Sequence, residues 1–319
     1  MSADGRLPQR WVIRHQALAT MATAALATVH LLYDPSPQAR LTILAAAVAL
    51  LGLPHGAVDH LDGRAHLAPR FGVWWPAVFG AAYVGTALAV IALWLLSPPL
   101  GLTGFLLIAC WHFGAEDMRA TPLPLRWARL ATALRGAVPI LAPIAAYPDK
   151  TATYFAAILP GYEAEALRAI LTQSARLPAL MGLALAAMAA LYGLWRGAAR
   201  QAAEIWLLIL AGMVMPPLLF FVAYFCFWHA PRHSLRTLGA MRRAGNDRAG
   251  RDYLRAALWP SALTVAAALC YWLWRGGEMP AQTVLQAVFI GLAALTVPHV
   301  GLAALRGNAH DAAGDKGAP

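Results

Sequence analysis

Residues 205–233 read IWLLILAGMVMPPLLFFVAYFCFWHAPRH. From Ile205 to Trp228 nothing is charged, and such a run, wound as a helix, is long enough to cross the hydrocarbon layer of a bilayer. It then meets His229 and His233, with Arg232 between them. Lipid packing does not call for an ionisable or metal-ligating side chain at membrane depth, so one found there marks a functional site. A single stretch thus points to both a membrane span and the chemistry at its end.

The rest of the chain repeats the pattern. Apolar runs occur at roughly 16–33, 41–58, 74–96, 100–113, 178–195, 205–228, 254–274 and 283–303. Of the 319 residues, 60% are hydrophobic and 13% charged, and mean hydropathy is +0.56. A soluble domain carries about twice that charge fraction. The fold class is therefore all-α: a polytopic integral membrane helical bundle of about 8 transmembrane helices. The region 134–160 is apolar but punctuated by Pro139, Pro143, Pro148 and Pro160, and 161–176 carries Glu163, Glu165 and Arg168. Together, 134–176 is expected to be a re-entrant or interfacial segment. Residues 1–306 are expected to form one integral membrane catalytic domain, and 307–319, rich in Gly, Ala and Asp, a disordered tail. The run from Ala17 to Leu32 lacks a convincing cleavage site and reads as a first membrane helix.

The net charge of +10 is almost wholly arginine, since Lys150 and Lys316 are the only lysines. The arginines cluster in short stretches beside apolar runs, which is the positive-inside signature and argues against a nucleic-acid partner. Cys110, Cys226 and Cys270 all lie within apolar runs, form no disulfide framework, and read as packing residues.

Topology follows from two directions. With the N-terminus in the cytoplasm, His55 and His112 fall near the inner ends of the second and fourth spans. His229 joins them only if 205–228 also runs inward, which requires 134–160 not to make a single crossing. The same choice brings the stretch bearing Arg232, Arg236, Arg242, Arg243, Arg248, Arg251 and Arg255 to the cytoplasm, where the charge rule wants it.

Four boxes carry the histidines: Pro54-His55-Gly56-Ala57-Val58-Asp59-His60, Trp111-His112-Phe113, Trp228-His229-Ala230-Pro231-Arg232-His233 and Pro298-His299. The four-residue spacing of His229 and His233 puts both rings on one helix face. His55, His112, His229 and His233 are the candidate metal ligands, and four neutral imidazoles suit Fe(II), Zn, Cu or Ni. His60 and His299 are candidate additional ligands, while Asp59, Glu116, Asp117 and Arg232 are candidate hydrogen-bond partners of the ligands. Trp111, Phe113, Tyr224 and Trp228 are candidates to line an apolar cavity that would suit a polyene or a quinone.

Assembled, these boxes resemble the Brp/Blh family of bacterial and archaeal integral-membrane β-carotene dioxygenases, from Gly52-Leu53-Pro54-His55 through Trp111-His112-Phe113-Gly114 and Trp228 to His233, ending at Pro298-His299. The resemblance implies cleavage of the 15,15′ double bond of β-carotene by O₂ into two all-trans-retinal molecules. It further implies a non-haem Fe(II) on His55, His112, His229 and His233, a multi-pass location in the cell (inner) membrane, and a rhodopsin as candidate recipient of the retinal. Two alternatives use similar residues. A membrane desaturase or hydroxylase would carry several HxxxH or HxxHH boxes, whereas this chain has one HxxxH. A non-catalytic metal or haem transporter would bind haem or an ion between paired histidines. A retinal-binding photoreceptor needs a lysine in a confident span, and there is none.

Overall fold

In a computed structural model, which describes residues 8–120, 128–276 and 281–314 and side chains as far as residue 302, two glycines set how the middle of the chain packs. A Cβ on Gly114 would fall 1.9 Å from the Thr132 carbonyl oxygen, and one on Gly136 would fall 1.8 Å from that of Cys110. Only glycine permits this backbone contact. It zips helix α6 (Pro98–Ala120) against α7 (Ala128–Ala146) in antiparallel register.

Every described element is helical. Before these two come α1 (Gln9–Tyr33), α2 (Pro37–Ala47), α3 (Leu53–Gly56), α4 (Asp59–Phe71) and α5 (Trp75–Leu96). After them come α8 (Pro148–Ile158), α9 (Ala164–Ile170), α10 (Arg176–Trp195), α11 (Ala199–Val214), α12 (Pro217–Phe221), α13 (Ala230–Arg243), α14 (Ala249–Trp274) and α15 (Ala281–Gly314). Among the described residues, seven helical segments are long and apolar enough to span a bilayer. Large apolar side chains such as Leu96, Trp259 and Leu263 point outward on them. This is a multi-pass membrane protein.

Three expectations are corrected. The first half of region 134–160 is not re-entrant: α7 runs unbroken through Pro139 and Pro143 alongside α6 and is one of the seven segments, while Pro148–Ile158 forms a separate short helix that is not one of them. Prolines are tolerated in a membrane helix when neighbours re-satisfy the freed backbone groups. At the end of α7 the Pro143 carbonyl accepts both the Tyr147 N–H at 2.9 Å and the Thr151 hydroxyl at 3.1 Å, which ties the following helix back to α7. Residues 164–175 are not a separate interfacial helix but the start of the long segment Ala164–Trp195. Finally, 205–228 is not one span. The chain reverses at Met215-Pro216, and Gly212 and Phe220 face each other across the turn.

The first and third corrections cancel. The α7 crossing changes the parity that the sequence required, and the reversal at Met215-Pro216 restores it. His229 therefore arrives from the same direction as His112, on a helix parallel to α6. As for the expected disordered tail, α15 extends to Gly314, and 315–319 lie outside the described residues.

Two wide π-helical turns precede the histidine boxes, Val48–Gly52 ahead of Pro54 and Val222–His229 ahead of Pro231. Proline has no N–H and its ring crowds the carbonyl four residues back, so the preceding turn opens. Pro231 frees the Phe227 carbonyl in this way, and it accepts from the ring of His15 on α1 at 2.9 Å; near Pro54, the Gly52 carbonyl accepts from His55 Nδ1.

Candidate metal centre

α3, α6, α12 with its following wide turn, α13 and α15 each bring a histidine to one point. Ring centroids lie 5.4 Å apart for His55–His229, 4.8 Å for His112–His229, 5.0 Å for His112–His299, 4.9 Å for His233–His299 and 5.6 Å for His55–His233. One ring nitrogen from each of His55, His112 and His299 falls within 4.8 Å of the other two. All five rings are buried.

What distinguishes these rings is what they lack. His112 Nε2, His299 Nε2 and both nitrogens of His229 are buried and have no protein partner. A buried polar atom without a partner costs free energy, and native folds rarely leave several together. The nitrogens of His55, His112 and His299 converge on one point with the His229 ring beside them, and such a set of donors suits a transition metal that prefers nitrogen. The residues present therefore fit a metal cofactor.

Three of the five rings, His299, His233 and His55, are held by their outer nitrogens, as ligand histidines require. Asp59 accepts from His299 Nδ1 at 2.8 and 2.9 Å and from the Tyr83 hydroxyl at 3.0 Å. Glu116 lies 3.5 Å from His233 Nδ1 and is ion-paired with Arg236. The Gly52 carbonyl fixes His55. The fourth box thus belongs with the first three: His299 stands in the cluster itself. Asp59 orients His299, which comes from the far end of the chain. His60 stays apart at the cavity wall, its Nδ1 donating to the Ala57 carbonyl at 3.1 Å.

Behind His229 and His233 lies a second buried cluster, made of charges. Arg232 reaches Asp117 at 2.5 Å and Glu204 at 2.6 Å, while Arg135 reaches Glu204 at 2.5 Å. Tyr224 donates to Asp117 at 3.0 Å, and Gln16 to Glu204 at 2.9 Å. Arg232 and Arg236 are therefore helix residues turned inward and not loop charges. Sequence reading overlooked Tyr83, Arg135 and Glu204. A signal for Glu204 existed, since it shares the buried small-residue face of α11 with Leu208, Ala211 and Gly212, four, seven and eight residues on.

An apolar cavity of about 250 Å³ abuts the histidines. His55, His112, His229 and His299 form its polar end, with Phe113, Phe225 and Phe79 along its walls. Its other end is bounded by Val84 on α5 and Leu263 on α14, whose side chains are 56% and 72% exposed on the lipid-facing surface. The site therefore opens sideways into the membrane. Of the four aromatics expected to line it, only Phe113 does. Trp111 faces outward and is half exposed, Tyr224 is turned to Asp117, and Trp228 is buried with its indole N–H on Thr23 at 3.0 Å. On a helix a histidine's immediate neighbours point about 100° away from it, so flanking it in sequence does not mean flanking it in space.

A family model described as beta-carotene 15,15'-dioxygenase matches residues 46–305. A protein of Halobacterium salinarum named "Probable beta-carotene 15,15'-dioxygenase Blh" is 29% identical over 293 residues, covering 83% of this chain and 84% of that protein. A protein of uncultured marine bacterium 66A03 named "Beta-carotene 15,15'-dioxygenase" is 29% identical over 264 residues, covering 80% of this chain and 90% of that one. No solved structure matches the chain significantly.

Proposed function

We propose that this chain, which belongs to the β-carotene 15,15'-dioxygenase family, cleaves the central double bond of β-carotene with O₂ to give two molecules of all-trans-retinal. One C=C bond breaks, and each of its carbons takes one atom of the same O₂. The observation that carries the reading is a hydrocarbon-lined cavity, open to lipid, whose closed end is a cluster of unpaired buried imidazoles. Cleaving a hydrocarbon needs no polar grip on the substrate, and the rest of the cavity offers almost none.

The residues that would hold the metal are His55, His112, His229 and His233, joined by His299. Their all-imidazole donor set suits non-haem Fe(II). Activation of O₂ toward a closed-shell polyene is the chemistry such an ion supplies when bound. The rest falls to the protein. Asp59 and the Gly52 carbonyl hold the outer nitrogens of His299 and His55, which leaves their inner nitrogens free to ligate. Phe113 and Phe225 pack against His229 and keep water from the reacting carbons. The gap at Val84 and Leu263 admits a substrate that dissolves in the bilayer and not in water. The setting is the cell (inner) membrane, and a rhodopsin is the candidate consumer of the retinal.

Expression in a β-carotene-accumulating host tests the reading. The orange colour should fade and retinal should appear by chromatography. Unchanged pigment in cells with abundant, membrane-inserted protein would overturn it.

A further inference from the structure

The cavity beside the histidines is too small for its substrate. At about 250 Å³ it falls below the roughly 300–1,000 Å³ of pockets that enclose a drug-sized ligand, and a C40 carotenoid is larger and rigidly extended. A second apolar cavity of about 110 Å³ lies beside it, between α6, α7, α8 and α12. The two share three wall residues: Phe105, Phe113 and Phe221. Phe221 stands in a run of rings, 5.2 Å from Phe225 and 5.0 Å from Phe289 by centroid. The second cavity is lined by Ala109, Leu106, Ile140 and Phe155 and holds almost nothing polar.

We infer that the second cavity is the subsite for one arm of the polyene, and that the Phe105–Phe113–Phe221 partition yields to join the two cavities into a single tunnel. The histidines line the first cavity next to that partition. A polyene threaded through it would lie with its middle at the metal, one arm toward the Val84–Leu263 opening and the other in the second cavity. Central cleavage then follows from where the tunnel ends. The end wall arrests the leading ring, and the depth of the subsite selects which double bond reaches the site.

This rests on the reaction proposed above, and the test separates the two. Purified protein is assayed on β-carotene and on β-apo-12′-carotenal, which keeps the 15,15′ bond but has only a short stub beyond it. Ala109→Leu and, independently, Leu106→Trp fill the second cavity from α6. Each should lower kcat/KM for β-carotene about tenfold or more while changing that for the short substrate less than about threefold, with metal content unchanged. Equal losses on both substrates, or undiminished β-carotene cleavage by both variants, would overturn the subsite while leaving the assigned reaction standing. Failure of the unaltered enzyme to cleave either substrate would overturn the reaction and the subsite with it.

Discussion

Two polar clusters are buried side by side in this bundle, and they differ in completeness. Around Arg232, each charge meets its opposite: Asp117 and Glu204 face Arg232 and Arg135 at 2.5–2.6 Å, with Tyr224 donating to the second oxygen of Asp117 and Gln16 sharing the Glu204 oxygen that Arg232 reaches. Around His229, imidazoles crowd together with inner nitrogens bonded to nothing in the protein. The first cluster is finished by the polypeptide and reads as scaffold. The second is finished only by something the polypeptide lacks. Unmet bonding capacity, more than burial or polarity, separates a site from a strut.

Substitutions can break that contrast. His229→Ala or His112→Ala should give the largest functional effect, abolishing retinal formation and most metal binding while the protein still inserts and keeps its thermal stability. Near-normal turnover with stoichiometric iron in either variant would remove the ring from the ligand set. Glu204→Leu should do the converse: it leaves two buried guanidiniums sharing one carboxylate, a loss of roughly 3–5 kcal/mol, read as lower yield and a depressed melting temperature in detergent. Unchanged stability there would mean the charge cluster is not structural.

Two smaller effects sharpen the picture. Asp59→Asn weakens the hold on His299 and should reduce metal affinity or turnover about 10–100-fold, measured by metal titration; an affinity equal to the parent's would detach His299 from the centre. Tyr83→Phe removes one hydrogen bond to Asp59, worth about 1 kcal/mol, and should cost no more than severalfold in the same titration.

The long uncharged runs made a helical membrane bundle readable, and the four histidine boxes made one shared object readable, because composition and local spacing carry both. What stayed hidden depends on contacts between distant segments. Pro139 and Pro143 read as breaks, yet α7 passes through them because backbone contact at Gly114 and Gly136 presses it onto α6. The pair Pro216-Pro217 marks the real reversal, but it sits inside an apolar run that hydropathy treats as continuous. His299 and Asp59, 240 positions apart, meet only after folding. Of the aromatics near the histidines in sequence, Phe113 lines the cavity, whereas Trp111, Tyr224 and Trp228 point elsewhere. Phe225, three residues before Trp228, lines the cavity as well, and the remaining wall phenylalanines, Phe79, Phe105 and Phe221, lie further in sequence from any histidine box.

The bond from His15 to the Phe227 carbonyl has a bearing on how this protein can be trimmed. The family model begins at residue 46, so a designer taking that boundary literally would discard α1. The deletion would strip Phe227 O, the Trp228 indole and Glu204 of their α1 donors and acceptor at once. The segment outside the recognised boundary is what clamps the His229 helix in place, and a minimal catalytic version has to keep it.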